Sequence, residues 1–152
     1  MKRTNRIVVE IGLMIVATFM AACSSDPFSP EDEQAAAFAD LRTAVNRTVA
    51  DEARQREVLA IVDLLENDVD ELREILVRRR QELRALNADY DATREDFVEF
   101  TRQTEARIHA GRRRAIERRQ TLVAALTADE WDELGKAETR TMKSVSRSMQ
   151  SI

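Results

Sequence analysis

From Glu31 to Ala110 the chain contains no glycine and no proline. A stretch of that length without either breaker favours long helices, because nothing in it forces a sharp turn or interrupts the i to i+4 ladder. The apolar positions show how those helices meet. Phe38, Leu41 and Val45 recur at helical spacing. After a looser stretch come Val58, Val62, Leu65, Val69, Leu72 and Leu76, then Leu83, Leu86, Tyr90, Phe97 and Phe100, in alternating steps of three and four with gaps at Arg79 and Thr93. This is a heptad seam, and it requires a partner helix to cover it. The composition fits: charged residues are 34% and aromatics 5% of the chain, which suits solvent-washed helices with a narrow seam rather than a thick core.

Two arrangements satisfy the seam. One is a continuous rod that oligomerises, favoured by a register that runs through residues 86–93 without a slip. The other is a hairpin bent within that segment, where Asn87, Asp89 and Asp91 are poor mid-helix residues and good turn formers. Thr93-Arg94-Glu95-Asp96 then reads as a capping arrangement. Charge favours the hairpin. A fold centred at 89–90 sets Asp63, Glu66, Asp68, Asp70, Glu71 and Glu74 against Arg107, Arg112, Arg113 and Arg114, Arg78-Arg79-Arg80 against Glu99, and Arg84 against Glu95. It also sets Leu83 against Phe97, Leu76 against Thr104 and Leu72 near Ile108. In a parallel oligomer Arg79 meets its own copies inside the seam. Exposed pairs are worth at most about 1 kcal/mol each, so they select a pairing more than they stabilise it.

The expected fold is therefore all-α: an extended antiparallel, coiled-coil-like hairpin with a shorter third helix, over residues 31–150. Ser29 caps the first helix, Pro30 fits its first position, and Glu31 and Asp32 suit its positive end. A first helix over 31–86 is about 84 Å long and a second over 93–126 about 51 Å, so about 33 Å near Phe38, Leu41 and Val45 needs the third helix or another chain. Thr127 and Glu130 have capping-box spacing and start that third helix, with Trp131, Leu134, Met142, Val145 and Met149 on one face. Folding back sets Trp131 against Leu122 or Val123. Gly135 weakens this helix, and residues 144–152 are expected to fray.

The front of the chain is a different object. Lys2, Arg3 and Arg6 supply positive charge with no acid, and a mostly apolar stretch over 7–22 follows, interrupted by Glu10. Its clean run, Ile11 to Ala22, is 12 residues, short of the roughly 20 a membrane-spanning helix needs. Basic head, short apolar core and small residues are the pattern of a secretory signal peptide over residues 1–22. Met20-Ala21-Ala22-Cys23 resembles the lipobox of bacterial lipoproteins, with Met20 where the pattern usually has leucine. The resemblance implies signal-peptidase recognition at Met20, Ala21 and Ala22. It implies that the thiol of Cys23, the chain's only cysteine, takes a diacylglycerol and becomes a palmitate-type lipid anchor. Ser24 in the sorting position implies the outer membrane, facing the periplasm, with residues 23–30 as a lipidated tether.

Chemistry elsewhere is sparse. The processed chain has 130 residues and a net charge of about −6, which argues against nucleic-acid binding. The basic run His109 to Arg119 lacks interleaved aromatics and is matched by an acidic face of the same chain. His109 is the only histidine. Asn87, Asp89 and Asp91 form half of a calcium-loop pattern without its glycine and glutamate, and read as turn formers. No catalytic residue, metal site or cofactor is expected, and the chain reads as a non-enzymatic scaffold with a protein partner or homo-oligomer. Leu126-Thr127-Ala128-Asp129-Glu130 resembles the LTxxQ motif of Spy-like periplasmic helical proteins, with Glu130 replacing the glutamine. That resemblance implies an alternative: a client-binding chaperone or envelope-stress sensor.

Overall fold

The computed structural model describes residues 29–152, which form four α-helices and, among the described residues, no strand. They are α1 Pro30–Thr48, α2 Glu52–Ala88, α3 Arg94–Ala124 and α4 Ala128–Gln150. The expected signal peptide and most of the tether, including Met20, Ala21, Ala22, Cys23 and Ser24, lie outside the described residues.

The fold is all-α, and α2 and α3 form the long antiparallel hairpin. Its turn is built as the sequence suggests. The Asp89 carboxylate accepts from the Asp91 N–H at 3.0 Å, and Thr93 caps α3 in a reciprocal box with Asp96. The caps at Ser29 with Asp32 and at Thr127 with Glu130 form the same box, and Pro30 occupies the first turn of α1. Each box satisfies two backbone groups that a helix end would leave unpaired.

The expected first helix over 31–86 is broken. It ends at Thr48 and restarts at Glu52, and no glycine or proline is used. Val49 takes an extended conformation (φ −88°, ψ 106°) and is 1% exposed, so the break is held by burying a β-branched side chain. Asp51 caps α2 by accepting from the Arg54 N–H at 2.8 Å. Gln55 Nε2 donates to the carbonyls of Asn46 at 3.0 Å and Val49 at 3.3 Å, covering the loose end of α1. The looser apolar spacing between Val45 and Val58 is the sequence trace of this turn.

The break lets α1 fold back antiparallel along α2, and α4 covers both. Phe38, Leu41 and Val45 of α1 join Val58, Val62, Leu65 and Val69 of α2, Leu122 of α3, and Leu134 and Ala137 of α4 in one core. The cover for α1 is thus the chain's own last helix. The face α4 buries differs from the expected one. Leu134, Ala137, Glu138, Thr141, Ser144 and Ser148 are buried, while Met142, Val145 and Met149 are half-buried at the edges. Small residues let the backbones of α1 and α4 approach closely. The Thr141 hydroxyl lies 3.0 Å from both the Ala137 carbonyl of its own helix and the Ala37 carbonyl of α1. The segment expected to fray is therefore helical through Gln150. Trp131 is half-buried and lines a surface hollow with Arg119 and Glu138, and it is Leu134 that joins Leu122 in the core.

Gly111 of α3 marks the close approach in the hairpin: a Cβ there would lie 3.1 Å from Leu72 Cδ1. The pairing is about one turn later than a fold centred at 89–90. Arg107 meets Glu82 at 2.9 Å, and Arg114 meets Glu71 at 2.7 Å. The hairpin outruns the rest of the bundle. Near Arg73, which pairs with Glu31 at the start of α1, the body narrows to a two-helix arm. There Leu83, Leu86, Phe97 and Phe100 are only half-buried, and Tyr90 at the tip is fully exposed.

Candidate interaction surface

The residues singled out for lipid attachment, cleavage and sorting lie ahead of the described chain, so the structure brings none of them together. What it does position is a charged helical surface and its joints.

The basic run of α3 is largely consumed within the molecule. Asp68, with a side chain 12% exposed, is held by Arg118 at 3.2 Å and Arg114 at 3.7 Å, and Arg119 reaches the buried Glu138 of α4 at 2.5 Å. The acidic face of α2 divides between two neighbours. Asp68 and Glu71 face α3 as charge matching suggests, but Asp63 and Glu66 both pair with Arg42 of α1. Of the distal pairs expected, Glu99 bonds instead to Arg102 and Gln103 of its own helix, which holds its carboxyl down to about 2. Such exposed pairs contribute little individually. Together they leave a mixed-charge surface with the apolar side chains Val98 and Ile116 standing singly on it.

Leu126–Glu130 forms the α3–α4 joint. Leu126 packs against the core, Thr127 caps α4, and Glu130 receives both Nη1 (3.0 Å) and Nη2 (2.8 Å) of Arg54 from the start of α2. Nη2 also donates to the Ala125 carbonyl at 3.1 Å. The Arg54 bonds, followed by the Thr127 N–H, hold the Glu130 carboxyl down to about 2. The planar guanidinium fork suits this bidentate seat. Sequence spacing identifies the cap, whereas Arg54 is remote in sequence and carries no local signal.

At the start of α1, Gln34 is 4% exposed; its Nε2 donates to Asp70 Oδ1 at 2.9 Å, and its Oε1 has no partner. Burial, then the neighbouring Glu66, raises the Asp70 carboxyl above its ordinary value. The folded state therefore holds the Asp70 proton more tightly than the unfolded chain does. Stability falls as pH rises through the carboxylate range, and the cost vanishes below it. Because Asp70 remains largely solvent-exposed, Asp70→Asn should raise the thermal midpoint at pH 7 by no more than about 1–2 °C and converge with the parent near pH 3, as read by circular dichroism. A variant that is destabilised equally at both pH values would show that the charge is not what costs stability.

Among the described residues no cluster of three or more His, Cys, Asp or Glu is arranged to hold a metal, and no helix is long and apolar enough to cross a membrane. No family model, curated protein or solved structure matches the chain.

Proposed function

We propose that the chain is a non-enzymatic lipoprotein of a bacterial envelope, tied to the outer membrane through Cys23 and presenting its helical body to a periplasmic protein partner. One observation carries the reading: the only cysteine stands directly behind Met20-Ala21-Ala22, after a basic head and a short apolar stretch. The architecture supports it, since nearly all the described chain is helix, with charged outer faces around a narrow core.

The anchor reading has a geometric consequence. The pairing of Glu31 with Arg73 places the start of α1 at the arm end of the bundle. The six residues after Cys23, Ser24 to Ser29, reach at most about 20 Å. Leu76 to the arm tip at Asp89 is also about 20 Å of helix. An anchored body thus turns its arm toward the bilayer and its opposite end, the links at 49–51 and 125–127, toward the periplasm. A partner reaching across the periplasm meets those links and the lower flanks of α2 and α3.

Mass spectrometry of the N-terminus of the protein purified from its own membrane tests the reading. The expected species starts at Cys23 and carries two or three acyl chains. An unmodified chain starting at Met1 would overturn it. The second reading, a Spy-like client-binding chaperone, rests on Leu126–Glu130. It is separated from the first by whether the protein suppresses aggregation of an unfolded client at molar excess.

A further inference from the structure

Two glycines lie within the described residues, and packing explains only one of them. A Cβ on Gly111 would press on Leu72, whereas a Cβ on Gly135 would meet nothing within 4 Å. Gly135 has no positive φ that calls for glycine, and it stands inside α4, where alanine is the better helix former. Nothing inside the fold requires the missing side chain. Its effect is outward: Gly135 leaves helix backbone bare beside Trp131, which precedes it by one turn on the same face. Together they line an open hollow of about 630 Å³, within the roughly 300–1,000 Å³ of pockets that hold a bound group. Arg119, Lys136 and Arg140 stand around it. Arg119 uses its Nε on the buried Glu138, and among the described residues its Nη groups donate to nothing. Lys136 and Arg140 have no carboxylate within 4.0 Å among those residues, and Asp132 is the one free acid in the lining. The hollow is an aromatic wall and a bare backbone beside unpaired positive charge.

The opposite end of the molecule carries the complementary groups. Tyr90, at the arm tip, is fully exposed. Asp89 and Asp91 flank it, and segment 89–96 holds four acids against Arg94 alone. Neither aspartate has a cation within 4.0 Å among the described residues. We propose that the arm tip of one copy seats in the hollow of another, with the Tyr90 ring stacked on Trp131 over the Gly135 backbone and the carboxylates of Asp89 and Asp91 against Lys136, Arg140 and the free edge of Arg119. The contact joins two copies and cannot close within one. The hollow adjoins Glu130, which holds Arg54 at the start of α2, while the tip follows the end of that helix, whose 37 residues span about 55 Å. Tip and hollow are different surfaces, so each copy offers both and the contact builds a head-to-tail row. One ring and a few ion pairs make a contact smaller than a stable interface, so it is weak in solution and gains strength where copies are held together. The contact itself does not depend on the anchor. On the anchor reading, copies tethered to one leaflet join by tilting along it from the upright pose of a single body.

Sedimentation of the full chain carrying Cys23→Ser tests the contact without an anchor. Association should grow with concentration up to about 1 mM without a plateau at the dimer, and Trp131, the chain's only tryptophan, should report it by a shift in emission. Tyr90→Ala removes the tip group, and Gly135→Leu keeps the helix but fills the hollow. Each alone should weaken association at least about tenfold. An equal mixture of the two should recover a dimer and nothing larger, since only one tip and one hollow remain. Asp91→Lys, and Lys136→Glu with Arg140→Glu, should each weaken the contact, and combined in one chain they should restore it. Gly135→Ala should raise the thermal midpoint by circular dichroism, because the fold does not need that glycine. A chain that stays monomeric to about 1 mM, association that survives either single variant, or a mixture that stays monomeric overturns the proposal. No restoration by the charge swap overturns the ionic contact, and a lowered midpoint in Gly135→Ala assigns the glycine to the fold and overturns its place in the seat. Because every chain lacks Cys23, none of these outcomes bears on lipid anchoring.

Discussion

Phe38→Ala should destabilise the fold by about 3–5 kcal/mol in urea denaturation, a large share of the 5–15 kcal/mol that holds a domain of this size. Phe38 is fully buried and is the largest side chain α1 inserts among α2 and α4. Its removal leaves a cavity that a helix pinned at both ends cannot collapse onto: Arg73 holds its start and Val49 its end. Val98→Ala is the comparison. Val98 is 60% exposed on the arm, and its loss should stay within about 0.5 kcal/mol. The same pair of variants distinguishes a helix packed on its own chain from one packed on a neighbour. If the α1 cover came from a second copy, the Phe38→Ala loss would depend on protein concentration; packing within the chain makes it independent.

The hairpin, its turn and its three caps are legible because each is decided by neighbours in sequence. A capping box spans four residues, and the heptad seam repeats within two turns. The break at 49–51 is not legible from breakers, because Val49 and Asp51 make it without glycine or proline and Gln55 closes it from the next helix. The buried face of α4 is missed for another reason. A search for apolar periodicity finds Met142, Val145 and Met149, which flank the contact. The contact itself is made by Ala137, Thr141, Ser144 and Ser148, whose small size permits the approach of α1. Those four recur at steps of three and four, so small-residue periodicity was the available signal. Charge matching misplaces the register within the hairpin by about a turn, because exposed charge pairs discriminate weakly. The close fit of Gly111 against Leu72 is the stronger constraint, and a lone glycine in a helix does not announce its partner. Charge matching also gave α3 acids that belong to α1, since Asp63 and Glu66 lie on the other side of α2. The candidate site divides similarly. The proposed attachment motif at Met20–Cys23 is a pattern of adjacent residues that the structure does not describe, whereas the Arg54–Glu130 seat joins residues far apart in sequence.

Cys23→Ser should shift the protein from the membrane fraction to the soluble fraction almost completely, the largest effect expected of any single substitution. On the proposed anchoring, each buried CH₂ contributes about 0.8 kcal/mol, so two or three acyl chains would hold a body of this size durably, and removing the thiol would remove their point of attachment. Little else in the chain can replace them. The clean apolar run is 12 residues, too short to span a bilayer comfortably. No described helix can cross one either. Residues 23–152 carry a net charge of about −6, so they are repelled by an anionic surface. Phe38→Ala separates anchoring from folding: it should weaken the fold and leave the protein on the membrane, whereas Cys23→Ser should leave the melting transition intact and release it. Fractionation after high-salt and carbonate washes measures both. If Cys23→Ser stays with the membrane through those washes, the anchor is not this sulfur. The orientation of the arm toward the bilayer, which is derived from it, fails as well.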